Sequence, residues 1–167
     1  MIKRVSPHIL LTGAEKYFDA AKSVCNTPKT LKDRLTCRAP YPAYFLAALS
    51  IELSLKAFLF ARGEKIDRLK QKYGHDLSRL ISESRRRKLG KEVKLGRNHL
   101  VAVQLLNGPY KQKLLEYIEV GTYILPDYWI VCEVASNLID GLKSYCYKTT
   151  FKKEFPTIRK INNYRGA

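Results

Sequence analysis

The sequence predicts an all-α protein, a compact bundle of about four to five helices, and three observations carry that expectation. Residues 45 to 60 place apolar side chains in nearly every helical direction, broken only by Ser50, Glu52, Ser54 and Lys56. Segments on either side repeat apolar residues at the three-to-four spacing of a helix with one buried face. The period-two alternation of a half-buried strand is weak throughout.

The first helix is expected over residues 10 to 25, with Ala14, Tyr17, Phe18 and Ala21 on one side and Asn26-Thr27-Pro28 ending it. A loop rich in Lys and Arg follows. Pro40 and Pro42 precede a second helix over residues 42 to 62, with Gly63 in the place favoured just past a helix end. On a wheel of about 100° per residue, Ser50 and Ser54 share one side, and Glu52 and Lys56 sit near 200° and 240°. A helix apolar on nearly all sides is a buried one, so at least one polar pair looks inward. A lone buried charge is costly, so Glu52 and Lys56, at i,i+4 in the favourable order, are expected to answer each other.

Residues 64 to 73 read as a basic connection with short helical anchoring at Ile66 and Leu69. Asp76 suits the N-cap of a third helix running to about residue 88, with Leu77, Leu80 and Ile81 as its stripe. Gly90 and Gly96 bracket a basic linker. A fourth helix is expected over residues 98 to 106, closed by Asn107-Gly108-Pro109, and residues 110 to 117 read as a further helical turn. Residues 118 to 125 are open between turn and extended chain. Pro126 and Asp127 start the last long helix, to about residue 147, with Ile130, Val131, Val134, Leu138, Ile139, Leu142 and Tyr145 facing the core. The chain thus reads as one domain over residues 1 to 150 and a basic C-terminal tail over residues 151 to 167.

The charge balance narrows function. The 167 residues hold 31 Lys and Arg against 15 Asp and Glu, a formal net charge of +16. Such an excess raises encounter rates with polyanions, so RNA or a nucleotide is the first partner class, and an acidic protein the second. The four cysteines, Cys25, Cys37, Cys132 and Cys146, lack the close pairing of zinc and redox motifs. No Gly-x-Gly-x-x-Gly or Walker-type Lys is present, so neither cofactor nor metal is expected. No signal peptide is evident, and Glu52 and Lys56 interrupt the longest apolar run. A cytoplasmic protein with reduced thiols and no membrane span is the expectation.

Ser50-Ile51-Glu52-Leu53-Ser54-Leu55-Lys56-Ala57, a basic turn, and Gly74-His75-Asp76-Leu77 with Leu80 resemble the second and third helices of HEPN domains (higher eukaryotes and prokaryotes nucleotide-binding). Leu106-Asn107, Tyr110, Tyr117, Gly121 and Leu125-Pro126-Asp127 are similar to the second half of one bacterial branch of that family. The resemblance covers about residues 10 to 147. It implies a bundle of four or five helices, a homodimer, and association with RNA or nucleotides. Many members are ribonucleases of toxin–antitoxin and phage-defence systems, and others are non-catalytic partners, including those of nucleotidyltransferases.

The family's catalytic signature is an Arg followed by four to six residues and a His, on a late helix. The chemistry asks for a His that moves protons near neutrality and a guanidinium that forks onto phosphate. Arg68 and His75 have the spacing, but the span contains Gly74 and lies between the second and third helices. Arg97 and His99 are too close together, His8 is near the terminus, and the last helix has no His. Glu116 stands where the similar branch often has an Arg before the aromatic residue matching Tyr117. The expectation is therefore a HEPN-like RNA- or nucleotide-binding domain that is not a nuclease by itself. A metal-independent endoribonuclease using His75 or His99 with Arg68 or Arg97 is the alternative. A subunit docking an acidic antitoxin or a nucleotidyltransferase is a third.

Two basic clusters are the expected interface. Arg85, Arg86, Arg87, Lys88, Lys91, Lys94 and Arg97 are offset in the linear sequence only by Glu92. Lys148, Lys152, Lys153, Arg159, Lys160 and Arg165 are offset only by Glu154, with Tyr147, Phe151, Phe155 and Tyr164 interleaved, and aromatics among cations suit stacking on unpaired bases.

Overall fold

The computed structural model describes residues 5–117 and 123–154, and all regular structure among them is helical. Helix α1 (Pro7–Val24) starts three residues earlier than the apolar pattern suggests. Ser6 Oγ accepts from the Ile9 N–H at 3.2 Å and Pro7 takes the first position, where its missing N–H costs nothing. It buries Leu11, Ala14, Phe18 and Ala21. The expected Lys/Arg loop contains a short helix, α2 (Leu31–Thr36), nucleated by a reciprocal cap between Thr30 and Asp33. No residue of α2 is buried, which is why no apolar stripe announces it.

Helix α3 (Tyr41–Ala61) is the central rod. It packs most extensively on α1 and then on the last helix, with further contacts to the helices over residues 77 to 86 and 97 to 111. Ala47, Ala48, Ile51, Leu55, Ala57, Phe58 and Leu59 are each no more than 1% exposed, and Ser50, Ser54 and Glu52 are buried with them. Among the described residues α3 alone has the length and apolarity of a membrane span, but 67% of its apolar window is covered by the bundle. It is a core helix.

The basic connection forms α4 (Ile66–Arg68), which runs into a π turn over Leu69–Tyr73 and buries Leu69 and Tyr73. Asp76 Oδ1 accepts from the Arg79 N–H at 3.0 Å and so caps α5 (Leu77–Arg86). That helix ends before residue 88: Lys88 adopts a left-handed conformation at φ 68°, and a 3-10 turn over Leu89–Lys91 follows. Helix α6 (Arg97–Lys111) corrects the expected break at Asn107-Gly108-Pro109, because it continues through all three residues. Helix α7 (Tyr128–Glu154) likewise outruns its expected end, so the boundary drawn at residue 150 falls inside a helix. Near that point the His8 N–H donates to Thr150 Oγ1 at 3.2 Å and the His8 ring meets Tyr147 edge-on, joining the end of α7 to the start of α1.

Two contacts set the bundle's tight points. The Tyr44 hydroxyl donates to the Pro126 carbonyl at 2.7 Å, tying the turn before α7 to α3. Gly141 lets α7 close onto the loop before α6, since a Cβ there would stand 2.8 Å from the Glu92 carbonyl oxygen. All four cysteines are free. Cys132 and Cys146 are buried, and the half-buried Cys25 and Cys37 bring their sulfurs to 3.9 Å.

Candidate functional site

The polar side of α3 holds Glu52, whose carboxylate is 3% exposed and takes three donors. Lys56 Nζ reaches Oε1 at 2.6 Å along the same helix. His75 Nδ1 and the Tyr110 hydroxyl both reach Oε2, at 2.8 Å and 2.6 Å. The chain delivers His75 by a sharp turn: Gly74 has φ 50° and ψ −121°, a conformation that a Cβ would strain. On the other side Asp76 is fixed twice, as the cap of α5 and through Lys111 Nζ, 2.8 Å from Oδ2. Burial alone would raise the Asp76 carboxyl, but the Lys111 ammonium and the Arg79 amide outweigh it and hold it below the usual range. Tyr110 meets the His75 ring edge-on with centroids 5.9 Å apart. Burial and the Glu52 charge push the Tyr110 phenol far above its ordinary value, so it stays a proton donor to Glu52.

The protonation pattern of His75 follows from this network. An ionised carboxylate only accepts, so Nδ1 donates and the neutral ring keeps its lone pair on Nε2. The side chain is 58% exposed, and among the described residues Nε2 has no partner. The arrangement can hold an imidazole in one tautomer and offer its outer nitrogen for proton transfer.

The other candidate residues separate. Arg68 Nε lies 3.6 Å from Glu64 Oε1, so Arg68 and His75 answer different carboxylates. His99 Nδ1 accepts from the Gly96 N–H at 3.0 Å, which puts the ring proton on Nε2, 3.1 Å from Glu133 Oε2. Both nitrogens of His99 are therefore in use. Glu133 also meets Arg34 Nη2 at 3.4 Å, and the Arg34 guanidinium lies 4.2 Å over the Trp129 ring. Arg97 is exposed beside this group and makes no ion pair among the described residues. Among the described residues no three His, Cys, Asp or Glu side chains gather as a metal site would need.

The first basic cluster is sorted by the fold. Arg86 grips Glu83 with Nη2–Oε1 at 2.6 Å and Nε–Oε2 at 2.8 Å. Arg87 spans Glu83 at 2.6 Å and the buried Glu64 at 2.7 Å. The Arg86 hydrogen bonds, against the opposing effect of burial and with help from Arg87, hold the Glu83 carboxyl down at about 2. Glu92, the acid within the cluster, faces Arg62, the residue just past the end of α3, at 3.8 Å. Arg85, Lys88, Lys91, Lys94 and Arg97 remain exposed and make no ion pair among the described residues. Of the second cluster, Lys152 is exposed near the end of α7. The Lys153 side chain, Arg159 and Lys160 lie outside the described residues.

Sequence reasoning missed the roles of Tyr110, Glu64 and Glu83. Tyr110 stood behind an apparent helix break, and the two acids lie outside the linear span of the cations they neutralise. No family model matches the chain, and no curated protein or solved structure shows significant similarity to it.

Proposed function

We propose that the chain is a HEPN-like helical protein of the cytoplasm that binds RNA or a nucleotide through the connection between α5 and α6, and does not cleave RNA unaided. The observation that carries this reading is the sorting of charge just described. Glu64, Glu83 and Glu92 are all engaged by other arginines, and five cations over residues 85 to 97 are left for external anions. The HEPN-like part draws support from convergence, because the resembling residues Glu52, Lys56, His75 and Tyr110 all meet at one carboxylate. The non-catalytic part rests on Arg68 being engaged at Glu64 and on His99 having both nitrogens occupied.

Binding of a short single-stranded RNA, followed by fluorescence anisotropy over a salt series, tests this. Each phosphate contact contributes about −0.7 to the slope of log K against log salt, so five contacts give about −3.5. A slope near zero, or a stoichiometric complex with an acidic protein and no RNA binding, overturns the reading.

One observation favours a second reading, a metal-independent endoribonuclease: His75 has Nδ1 pinned and Nε2 open to solvent. Incubating the pure protein with structured RNA in EDTA discriminates. Cleavage leaving a cyclic phosphate, lost in a folded His75→Ala variant, would make the enzyme reading the correct one.

A further inference from the structure

The run over residues 85 to 91 does not form a uniform charged strip. The end of α5 and the left-handed turn at Lys88 send its cations in two directions. Arg86 and Arg87 face Glu83 and Glu64, while Arg85, Lys88 and Lys91 stand around a hollow of about 360 Å³. Its other lining residues among those described are Leu89, Gly90, Val93 and Leu95, and none of these is a carboxylate. Leu89 and Val93 are 1% and 4% exposed, so the floor belongs to the core and the cations are mounted on a fixed base. Gly90 has open space where a Cβ would be.

We infer that this hollow receives a phosphate monoester, as the terminal phosphate of an RNA or of a free nucleotide. The inference rests on the RNA or nucleotide reading above and narrows it to one ligand chemistry. An internal phosphodiester carries one charge and continues in both directions, which an open stripe of cations serves. A monoester carries about −1.5 to −2 at neutral pH and three terminal oxygens. Those suit three cations lining one hollow, one a guanidinium able to fork onto two oxygens and two of them ammonium point charges. The apolar floor gives the attached ribose or base a surface to cover, in the usual pattern of small-ligand sites. Gly90 leaves the hollow unfilled.

The test compares AMP with adenosine, and one RNA sequence bearing a 5′-phosphate, a 3′-phosphate or hydroxyl ends, at fixed salt. A terminal phosphate is expected to tighten binding about tenfold, the scale of hydrogen bonds to a charged group. AMP, and not adenosine, is expected to shift the backbone amide resonances over residues 88 to 93. Gly90→Asp places a carboxylate among the three cations without a steric clash and should abolish the preference, while the isosteric neutral Gly90→Asn should keep most of it. AMP displacing a phosphorylated RNA identifies the RNA end as a source, and AMP binding without RNA binding identifies the free nucleotide. RNA that binds equally with and without a terminal phosphate, alongside AMP that moves no resonance in this segment, overturns the hollow and leaves the RNA interface standing. An end preference that survives Gly90→Asp overturns it as well.

Discussion

Two carboxylate oxygens of Glu52 answer three donors from three segments of the chain. A buried carboxylate loses several kcal/mol of hydration, and full partnering is what makes such a group tolerable. Glu52→Gln leaves the Lys56 ammonium, only 12% exposed, without a counter-charge, so it should cost about 3–5 kcal/mol in urea denaturation. Tyr110→Phe removes one donor and keeps the packing, so about 1.5–3 kcal/mol is expected. An unchanged midpoint for Glu52→Gln would refute the account of the site. Glu83 sets an acid limb. Its folded value of about 2 lies below the ordinary 4.5, so its contribution is present above pH 4.5 and drains away as pH falls from there to about 2. Asp76, also depressed, adds in the same direction below its ordinary 3.8. Thermal midpoints should fall through that window, and Glu83→Gln should start lower and fall less. Half of this site was legible in the chain. The i,i+4 spacing announces the Glu52–Lys56 pair, and Gly74-His75-Asp76-Leu77 marks a capped turn beside it. The pairing of Arg87 with Glu64 was not legible, because Glu64 comes from the far side of α4 and only folding brings it near. The local i,i+3 and i,i+4 spacing of Arg86 and Arg87 to Glu83, by contrast, was there to be read.

Among the helices, α3 was readable almost to the residue because an all-round apolar run has one low-energy destination, the interior. Helix α6 was misread for a physical reason. Proline inside a helix costs about 3 kcal/mol, which makes Asn107-Gly108-Pro109 a natural stop. Continuing the helix gains the Tyr110–Glu52 and Lys111–Asp76 contacts, both out of reach if the chain turns at residue 107. The carbonyl of Leu105, which Pro109 leaves without its helical donor, belongs to a residue that is 40% exposed and within reach of water. Tertiary contacts thus override local propensity here. Helix α7 depends on one missing atom. An alanine Cβ at position 141 would sit 2.8 Å from both the Glu92 carbonyl oxygen and Val93 Cγ2, and backbone cannot move aside cheaply. Gly141→Ala should cost about 1–3 kcal/mol by overpacking, read as a lowered urea midpoint. A neutral or stabilising effect would mean the contact between α7 and that loop is looser than described.

For the molecule as a whole, a net +16 on 167 residues makes self-repulsion a standing load on the folded state. Most of the ion pairs among the described residues have an exposed partner and contribute little each, about 0–1 kcal/mol, so their loss to screening is small. Screening of like charges therefore dominates, and the thermal midpoint should rise between low salt and about 1 M, where the Debye length shrinks to about 3 Å. A steady fall over that range would show that attraction, not repulsion, governs the surface. The docking of α2 has its own consequence. Trp129 is the chain's sole tryptophan and lies under the guanidinium of Arg34, the residue by which α2 reaches α7. Because α2 buries none of its residues, it can lift away while the core stays intact. The indole is thus a built-in optical reporter. Its emission will register α2 detaching before circular dichroism registers the bundle melting.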